Sequence, residues 1–203
     1  MDCQDLALSG AKCKNVALLQ SAGTNSCRGY KHLAPPEPKQ NTEHEMLRIG
    51  IGTDTHRLVQ GRELVLGGVH IASDRGAEGH SDADALAHAI ADAILGALCE
   101  GDMGVHFPDR DPQWSGANSL QLLSRVMWLA RERNLHVVNV DSTILLERPK
   151  LRTYVDSIRE NIAGVLGVDV NCVSVKAKTG EGLDAVGQGL AVTAQAAVLM
   201  ESN

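Results

Sequence analysis

The organising segment of this 203-residue chain is HSDADALAHAIADAILGAL, residues 80–98. Its apolar residues recur every three or four positions, which predicts an amphipathic helix over residues 81–98. Ser81 is a suitable N-cap, and Asp84 three residues later completes a pattern similar to a capping box. The free N–H groups of such a helix start would form an anion site beside His80, for which phosphate is a reasonable ligand.

One face of the predicted helix carries polar side chains. Asp84, His88 and Asp92 follow one another at a spacing of one helical turn. A solvated polar stripe would explain this spacing, but apolar residues flank the stripe closely. A histidine between carboxylates on a mostly buried helix is typical of a metal ligand with supporting acidic neighbours.

Further elements are predicted on both sides of this helix. Strands are expected at residues 48–53, 63–69, 137–146 and 172–178, and helices at 119–134, 154–166 and 190–200. Strands and helices do not alternate strictly, which argues against a doubly wound sheet. The pattern therefore predicts an α+β fold, a two-layer sandwich of a mixed β-sheet with helices on one face.

Composition excludes several classes of protein. With one Phe, two Trp and two Tyr, the core must be aliphatic, and an aromatic platform for stacked bases is not expected. A net charge of −6 argues against a nucleic-acid partner. No apolar run approaches the roughly 20 residues of a membrane span, so no membrane partner is expected. The five cysteines have no CxxC spacing and indicate reduced thiols.

Residues 1–46 differ from the rest and are predicted to be an N-terminal extension, with one domain over residues 47–203. Pro35, Pro36 and Pro38 lie close together there, which is a linker composition. Three interpretations stay open: a disordered tail, a transit peptide, or sequence upstream of a start at Met46. Acidic residues near the start count against a transit peptide. The expected location is the cytoplasm, or the plastid stroma if a transit peptide is present.

A second candidate ligand group is Asp54-Thr55-His56, which follows the first predicted strand. Side chains alternate along a strand, so Asp54 and His56 point to the same side. Alone, the pair could be two polar residues at a strand end. Together with His88, it would supply three N/O ligands and leave a fourth position open, as in a catalytic zinc site.

Two polar segments complete the candidate chemistry. GDMGVHFPDRDP, residues 101–112, lies in a long predicted loop over residues 101–116 and contains the single Phe. Long loops in small domains are often functional. KAKTGEG, residues 176–182, combines groups that can hold phosphate with a carboxylate suited to a hard cation. Taken singly, each segment could be an ordinary loop.

The motifs are more specific in their order than singly. D-x-H (54–56), H-S-D-x-D-x-x-x-H (80–88), G-D-x-G-x-x-F-P-D-x-D-P (101–112), P-K (149–150) and V-K-A-x-T-x-E (175–181) follow one another along the chain. This series closely resembles the 2-C-methyl-D-erythritol 2,4-cyclodiphosphate synthase family of the non-mevalonate isoprenoid pathway. The resemblance covers residues 47–200.

The resemblance implies a small α+β homotrimer with active sites between subunits. It implies 4-diphosphocytidyl-2-C-methyl-D-erythritol 2-phosphate as the small-molecule substrate. In this family the 2-phosphate attacks the β-phosphorus, closes a cyclic diphosphate and releases CMP. Neither water nor a protein nucleophile takes part.

The resemblance also implies the metals and the catalytic groups. One Zn²⁺ per chain would be held by Asp54, His56 and His88. Glu181 would help to hold Mg²⁺ or Mn²⁺. His80 and Thr179, with Glu181, match catalytic positions.

The implied substrate contacts come from several segments of the chain. His80 and Ser81 match phosphate contacts, and Asp109 matches a contact to a methylerythritol hydroxyl. The full set of matching positions is His80, Ser81, Asp102, Gly104, Phe107, Asp109, Pro149, Lys150, Leu151, Ala177, Lys178 and Thr179. Within this set, the positions from Pro149 onward match the cytidine and phosphate pocket that a neighbouring subunit supplies.

Some positions depart from the family pattern. Ala185 and Gln188 stand where the family often has Phe and Arg. That Arg lines the central channel of the trimer, so Gln188 puts an isoprenoid-diphosphate effector site there in doubt, whereas turnover should be unaffected. Lys178 replaces a commoner Thr, and Ala83 replaces the usual Gly; both are mild changes.

Two alternatives remain at this point. The same three ligands could serve a zinc hydrolase, in which a metal-bound water is the nucleophile. The chain could also be a non-catalytic trimeric binding module of similar architecture, although such a module does not need three converging metal ligands.

Overall fold

A computed structural model describes residues 46–108 and 110–202. The predicted extension therefore lies outside the described residues except for Met46, and so does the predicted contact of Asp109. Within the described part of the chain, no helix is long and apolar enough to cross a membrane.

The described chain combines seven strands with four α-helices and two short 3₁₀ turns. The strands are β1 Leu47–Gln60, β2 Leu64–Leu66, β3 Val69–Ile71, β4 Arg75–Ala77, β5 Leu135–Leu145, β6 Val173–Lys178 and β7 Ala191–Ser202; the helices are α1 Ala85–Leu98, α2 Met103–His106, α3 Ser119–Glu132 and α4 Val155–Leu166. The 3₁₀ turns are Pro112–Trp114 and Val170–Cys172.

The main sheet has the strand order β4-β1-β7-β5-β6, and β2 pairs with β3 in a separate hairpin. Strands β5 and β6 are parallel, whereas the other pairs of the main sheet are antiparallel. Helix α1 contacts β1 and β7, α3 contacts β5, and α4 contacts β6. The predicted mixed sheet with helices packed against it is confirmed.

The opposite face of the sheet is open in the single chain. Leu47, Ile49 and Ile51 alternate along β1 and are 60, 71 and 74% exposed. The helix-covered face holds an aliphatic core, as the composition predicts, and Phe107 is the one aromatic residue among the buried hydrophobic side chains that the structure describes.

Helix α1 lies directly on β1 because two strand positions have no side chain. A Cβ atom added to Gly50 would overlap the carbonyl oxygen of Ala93, and one added to Gly52 would overlap that of Ala89. Glycine permits such an approach of two backbones. Ala89 and Ala93 of α1 therefore pack directly against Gly52 and Gly50 of β1.

The start of α1 corrects the predicted cap. The N-cap is Asp84, three residues after the predicted Ser81, and its fully buried carboxylate accepts the N–H of Ala87 at 3.0 Å. The same carboxylate accepts the N–H groups of Gly67 and Gly68 at 2.9 and 2.7 Å. The predicted free N–H groups near Ser81 have partners within the chain: the N–H of Asp82 donates to the carbonyl oxygen of Ala117, and that of Ala83 donates to Ser81 Oγ.

The segment predicted as a closing helix over residues 190–200 is strand β7. Val192, Ala194, Ala196, Val198 and Met200 are buried at every second position. Apart from Gln195, the residues between them are also short or apolar, so the sequence fits a helical period as well as a strand period. Pairing with both β1 and β5 selects the strand.

Two predicted strands also have different bounds. The segment at 63–69 is two strands, β2 and β3, separated by Gly67-Gly68, whose positive φ angles turn the chain. Strand β1 continues to Gln60, seven residues beyond the predicted end. Asp54 and His56 consequently lie within a strand.

We expect Gly52→Ala to lower the free energy of unfolding by about 3 kcal/mol, since its methyl group would meet backbone that cannot rotate away. Gly96→Ala is the matched control in α1, because its Cβ would lie 3.9 Å from the nearest atom outside the helix backbone. That control should be neutral, or more stable by up to about 1 kcal/mol. Equal urea midpoints for the two variants would contradict the close packing.

Candidate metal centre

Three side chains from β1 and α1 meet at one point. Asp54 Oδ2 lies 2.8 Å from His56 Nε2 and 2.9 Å from His88 Nδ1, and the two histidine nitrogens are 3.4 Å apart. Alternation along β1 places Asp54 and His56 on the helix-covered side, and the contact of α1 with β1 brings His88 to them. The structure thus brings together all three predicted ligands.

The hydrogen bonds of His56 leave one of its nitrogens free for a ligand. His56 Nδ1 lies 3.0 Å from the carbonyl oxygen of Glu78, which can only accept. The proton of the neutral ring therefore resides on Nδ1, and the Nε2 lone pair faces Asp54.

His88 is supported by different residues from those predicted. Its Nε2 lies 2.8 Å from Ser119 Oγ and 3.3 Å from Ser81 Oγ. The predicted support from Asp84 and Asp92 is wrong. Asp84 caps the helix, and Asp92 accepts the N–H of Met103 at 2.7 Å. A spacing of one turn places side chains on one face, but these two carboxylates have closer backbone donors.

The charges of the centre shift the pKa values of two of its groups. Burial alone would raise the pKa of Asp54, but hydrogen bonds and charges from His56 and His88 outweigh it and hold that pKa well below its usual range. Burial alone would lower the pKa of His56, but the hydrogen bond and charge of Asp54 raise it above 6.5. Such a cluster of perturbed groups is typical of a functional site.

The three groups fit a bound metal ion. One oxygen and two nitrogens, each with a lone pair available to a common point, are ligands of zinc and of other borderline cations. Ligands about 2.0–2.1 Å from a tetrahedral ion lie about 3.3 Å apart, close to the separations seen here. Two of the three separations are shorter than this value, so a small movement of the Asp54 carboxylate away from the two histidines would be enough for binding.

A cavity of about 400 Å³ opens beside the three ligands. Four other predicted site residues line it: His80, Ser81, Gly104 and Phe107. The ring of Phe107 packs edge-on against Trp114 at a centroid distance of 5.0 Å. The volume is in the range of small-molecule sites. The cavity therefore joins a candidate metal centre to space for a ligand.

The other predicted site residues that the structure describes do not line this cavity. Pro149 and Lys150 border a different cavity of about 520 Å³. Thr179 donates its hydroxyl to Glu181 at 2.6 Å in the segment after β6. Asp102 caps α2 through the N–H of Val105.

Three further predicted contacts differ in exposure: Leu151 is buried, whereas Ala177 and Lys178 are exposed at the end of β6. In one chain, the described site residues thus divide into those that line the cavity beside the three candidate ligands and those that do not. Pro149, Lys150 and the residues at the end of β6 belong to the second group.

Several residues at the centre were not predicted from the sequence. Gly79, Met103, Trp114 and Leu122 also line the first cavity, as does Asp92, which was predicted only as an acidic neighbour of His88. Ser119, which touches His88, gave no local signal, because the two are 31 positions apart and the serine reads as an ordinary first residue of a helix. The contact of α3 with α1 brings them together.

Fold and centre together define a two-layer α+β protein with a candidate Asp-His-His metal centre between a strand and its covering helix. The model of the YgbB family matches residues 47–201, and the chain belongs to this family. A curated relative from Gloeobacter violaceus, named 2-C-methyl-D-erythritol 2,4-cyclodiphosphate synthase, is 55% identical over 155 residues, 76% of this chain and 95% of the relative. A relative of the same name from Solibacter usitatus is 52% identical over 155 residues, 76% of this chain and 98% of the relative.

Solved structures agree with this family. A 2C-methyl-D-erythritol-2,4-cyclodiphosphate synthase with bound CDP is 38% identical, with a TM-score of 0.71 over 75% of this chain and 99% of that one. The bifunctional IspDF of Campylobacter jejuni is 34% identical, with a TM-score of 0.75 over 78% of this chain and 43% of that one. The chain is thus similar to less than half of the bifunctional protein.

In the metal-free protein, we expect the pKa of His56 to lie above 6.5. In the Asp54→Asn variant, we expect a lower pKa of His56 than in the unaltered chain, because the burial of the ring remains while the carboxylate is lost. Since the folded-state pKa is raised, the charged ring stabilises the fold below the unfolded pKa, and this stabilisation disappears as the pH rises through the folded value.

Proton NMR of the histidine Cε1–H signals measures both midpoints, with His56→Gln to assign the resonance. Equal midpoints in the unaltered chain and in Asp54→Asn would contradict the electrostatic coupling.

Proposed function

We propose that this chain converts 4-diphosphocytidyl-2-C-methyl-D-erythritol 2-phosphate to 2-C-methyl-D-erythritol 2,4-cyclodiphosphate and CMP. The observation that carries the proposal is the Asp54-His56-His88 centre beside a cavity of about 400 Å³, in a chain of the YgbB family. The names of the curated relatives support the same reaction.

The proposed resident metal is Zn²⁺, one per chain, on Asp54, His56 and His88. When bound, it supplies a Lewis acid that withdraws charge from phosphate oxygens. His80 and Ser81, which line the same cavity, are the proposed phosphate contacts on this side. Gly104 and Phe107 also line this cavity and are proposed substrate contacts. Gly104 and Asp102 are proposed to contact the ribose side of the substrate, and Asp109 a methylerythritol hydroxyl.

The second group of residues is proposed to face the nucleotide. Lys150 and Lys178 offer positive charge to phosphates, and Pro149, Leu151 and Ala177 are the proposed walls of the cytidine pocket. Thr179 and Glu181 are already joined by a hydrogen bond of 2.6 Å, and Glu181 is the proposed ligand of Mg²⁺ or Mn²⁺. A carboxylate oxygen is a suitable ligand for such hard cations.

The chemistry is then mainly a matter of positioning. An oxygen of the 2-phosphate forms a bond to the β-phosphorus, and the bond from that phosphorus to the CMP oxygen breaks as CMP leaves. Both reacting groups are anions, so His80 and Lys150 must offset their repulsion and hold them in line. Because both groups belong to one substrate, fixing its conformation removes most of the entropic barrier.

A homotrimer with active sites between subunits is proposed as the working unit. The separation of the predicted residues into two groups supports this, because a neighbouring chain can supply the second group. The exposed aliphatic side chains of Leu47, Ile49 and Ile51 support it too, since monomeric proteins seldom leave such a stripe in water.

Ile51→Asp is expected to dissociate the trimer and to reduce turnover at least tenfold, since a carboxylate would be buried in an apolar contact. Trp128→Asp is the matched control: it places the same charge at an exposed apolar residue, 43% exposed, on α3 of the helix layer. Light scattering should give three chains for the control and one for Ile51→Asp. A trimeric Ile51→Asp variant would refute this interface.

Residues 47–203 are proposed as the catalytic domain. The match of the family model to residues 47–201 and the first strand at Leu47 support this boundary.

Phosphorus NMR tests the reaction directly. With the diphosphocytidyl substrate, Zn²⁺ and Mg²⁺, the full chain and a chain that begins at Met46 should both form a cyclic diphosphate and one CMP per turnover. His88→Ala should lose bound zinc and turnover. Linear phosphates as products would instead identify a hydrolase, and no turnover in a zinc-loaded trimer would identify a binding module.

A further inference from the structure

A buried serine connects the candidate metal centre to a carboxylate behind it. Ser119, the first residue of α3, is 1% exposed. Its Oγ lies 2.8 Å from His88 Nε2 and makes a short hydrogen bond to Asp82 Oδ1. Asp82 Oδ2 also accepts the N–H of Ser119 at 3.0 Å. Both oxygens of one carboxylate thus hold the same serine.

The direction of these hydrogen bonds follows from what each group can donate. A carboxylate has no proton to give, so the hydroxyl of Ser119 donates to Asp82. The same hydroxyl then has only lone pairs left for His88, and therefore accepts from Nε2–H. Ser81 Oγ, at 3.3 Å, is a longer and weaker partner of the same nitrogen.

We propose that Asp82 and Ser119 are positioning residues that fix the proton of His88 on Nε2 and thereby present the Nδ1 lone pair to the metal. The inference rests on the metal centre of the proposed function and deepens it. The outward nitrogen of a metal-bound histidine commonly donates to such a partner, which sets its orientation and tautomer.

The geometry shows why the tautomer matters here. Nδ1 of His88 lies 2.9 Å from Asp54 Oδ2 and 3.4 Å from His56 Nε2, at the point where the three ligands meet. In the metal-free chain, Asp54 Oδ2 can also accept a proton from Nδ1, and that proton has to leave before a metal can bind. Because Ser119 keeps a proton on Nε2, the lone pair that becomes available is the one on Nδ1, which faces the metal.

Three substitutions separate this role from ordinary packing. Ser119→Ala removes the acceptor of Nε2–H. Ser119→Thr keeps the hydroxyl and should rescue zinc binding. In Asp82→Asn, the N–H of Ser119 donates to the amide oxygen, so the amide NH₂ faces Ser119 Oγ and donates to it. The serine hydroxyl no longer has to donate to residue 82 and is free to donate to His88 Nε2, which reduces the population of Nε2–H.

The first readout is the protonation of His88 Nε2 in the metal-free full-length chain. Long-range ¹H–¹⁵N NMR distinguishes a protonated Nε2 from an unprotonated one, and His88→Gln assigns the signal. We expect a proton on Nε2 in the unaltered chain and in Ser119→Thr, whether or not Nδ1 also donates to Asp54, and a smaller Nε2–H population in Asp82→Asn. An unprotonated Nε2 in the unaltered chain would overturn the proposal.

The second readout is the zinc dissociation constant, measured by competition with a chelating dye. Ser119→Ala and Asp82→Asn should weaken binding about 10- to 100-fold. The matched control is Ser142→Ala, since Ser142 is also 1% exposed and donates its hydroxyl to a carbonyl oxygen, that of Ser174, at 2.8 Å. This control should bind zinc as the unaltered chain does.

The outcomes separate this role from the metal centre itself. Unaltered zinc affinity in folded Ser119→Ala would overturn the positioning role alone. If Ser119→Ala does not fold, Asp82→Asn provides the same test. An unaltered chain that binds no zinc would overturn the metal centre, and this proposal with it.

Discussion

The contact between helix α1 and strand β1 is the constraint on which the rest of the structure depends. Gly50 and Gly52 have no side chains, so the backbone of α1 at Ala89 and Ala93 lies directly on the strand. This contact brings His88 of the helix within 2.9 Å of Asp54 on the strand. The core and the candidate metal centre thus rely on the same close packing, and a single added methyl group would disturb both.

The two faces of the sheet differ in what they contact. The helix-covered face holds the aliphatic core and one candidate metal centre, whereas the open face presents Leu47, Ile49 and Ile51 to solvent. The open apolar face is the surface through which the proposed homotrimer would associate, because a contiguous exposed apolar stripe is typical of an interface.

Hydrogen bonds of buried polar groups hold the candidate metal centre in place. Asp84 ties the start of α1 to the β2–β3 turn through three backbone N–H groups, and Ser119 ties α3 to His88. Each of these polar atoms has a partner, as burial requires, because an unsatisfied donor in a low-dielectric interior costs about 1–3 kcal/mol. The three candidate ligands and Ser119 are consequently held by helices α1 and α3 and by strand β1.

The sequence by itself determined the class of fold, the family and the three residues of the candidate metal centre, because short-range periodicity and motif order record them directly. It did not determine the strand β7, since its small and apolar residues suit either period until neighbouring strands supply hydrogen bonds. The helix cap and the partner of His88 were likewise decided by tertiary structure. Asp84 has its second and third donors in a turn 16 and 17 residues away, and Ser119 reaches His88 across 31 positions, distances that no local pattern encodes.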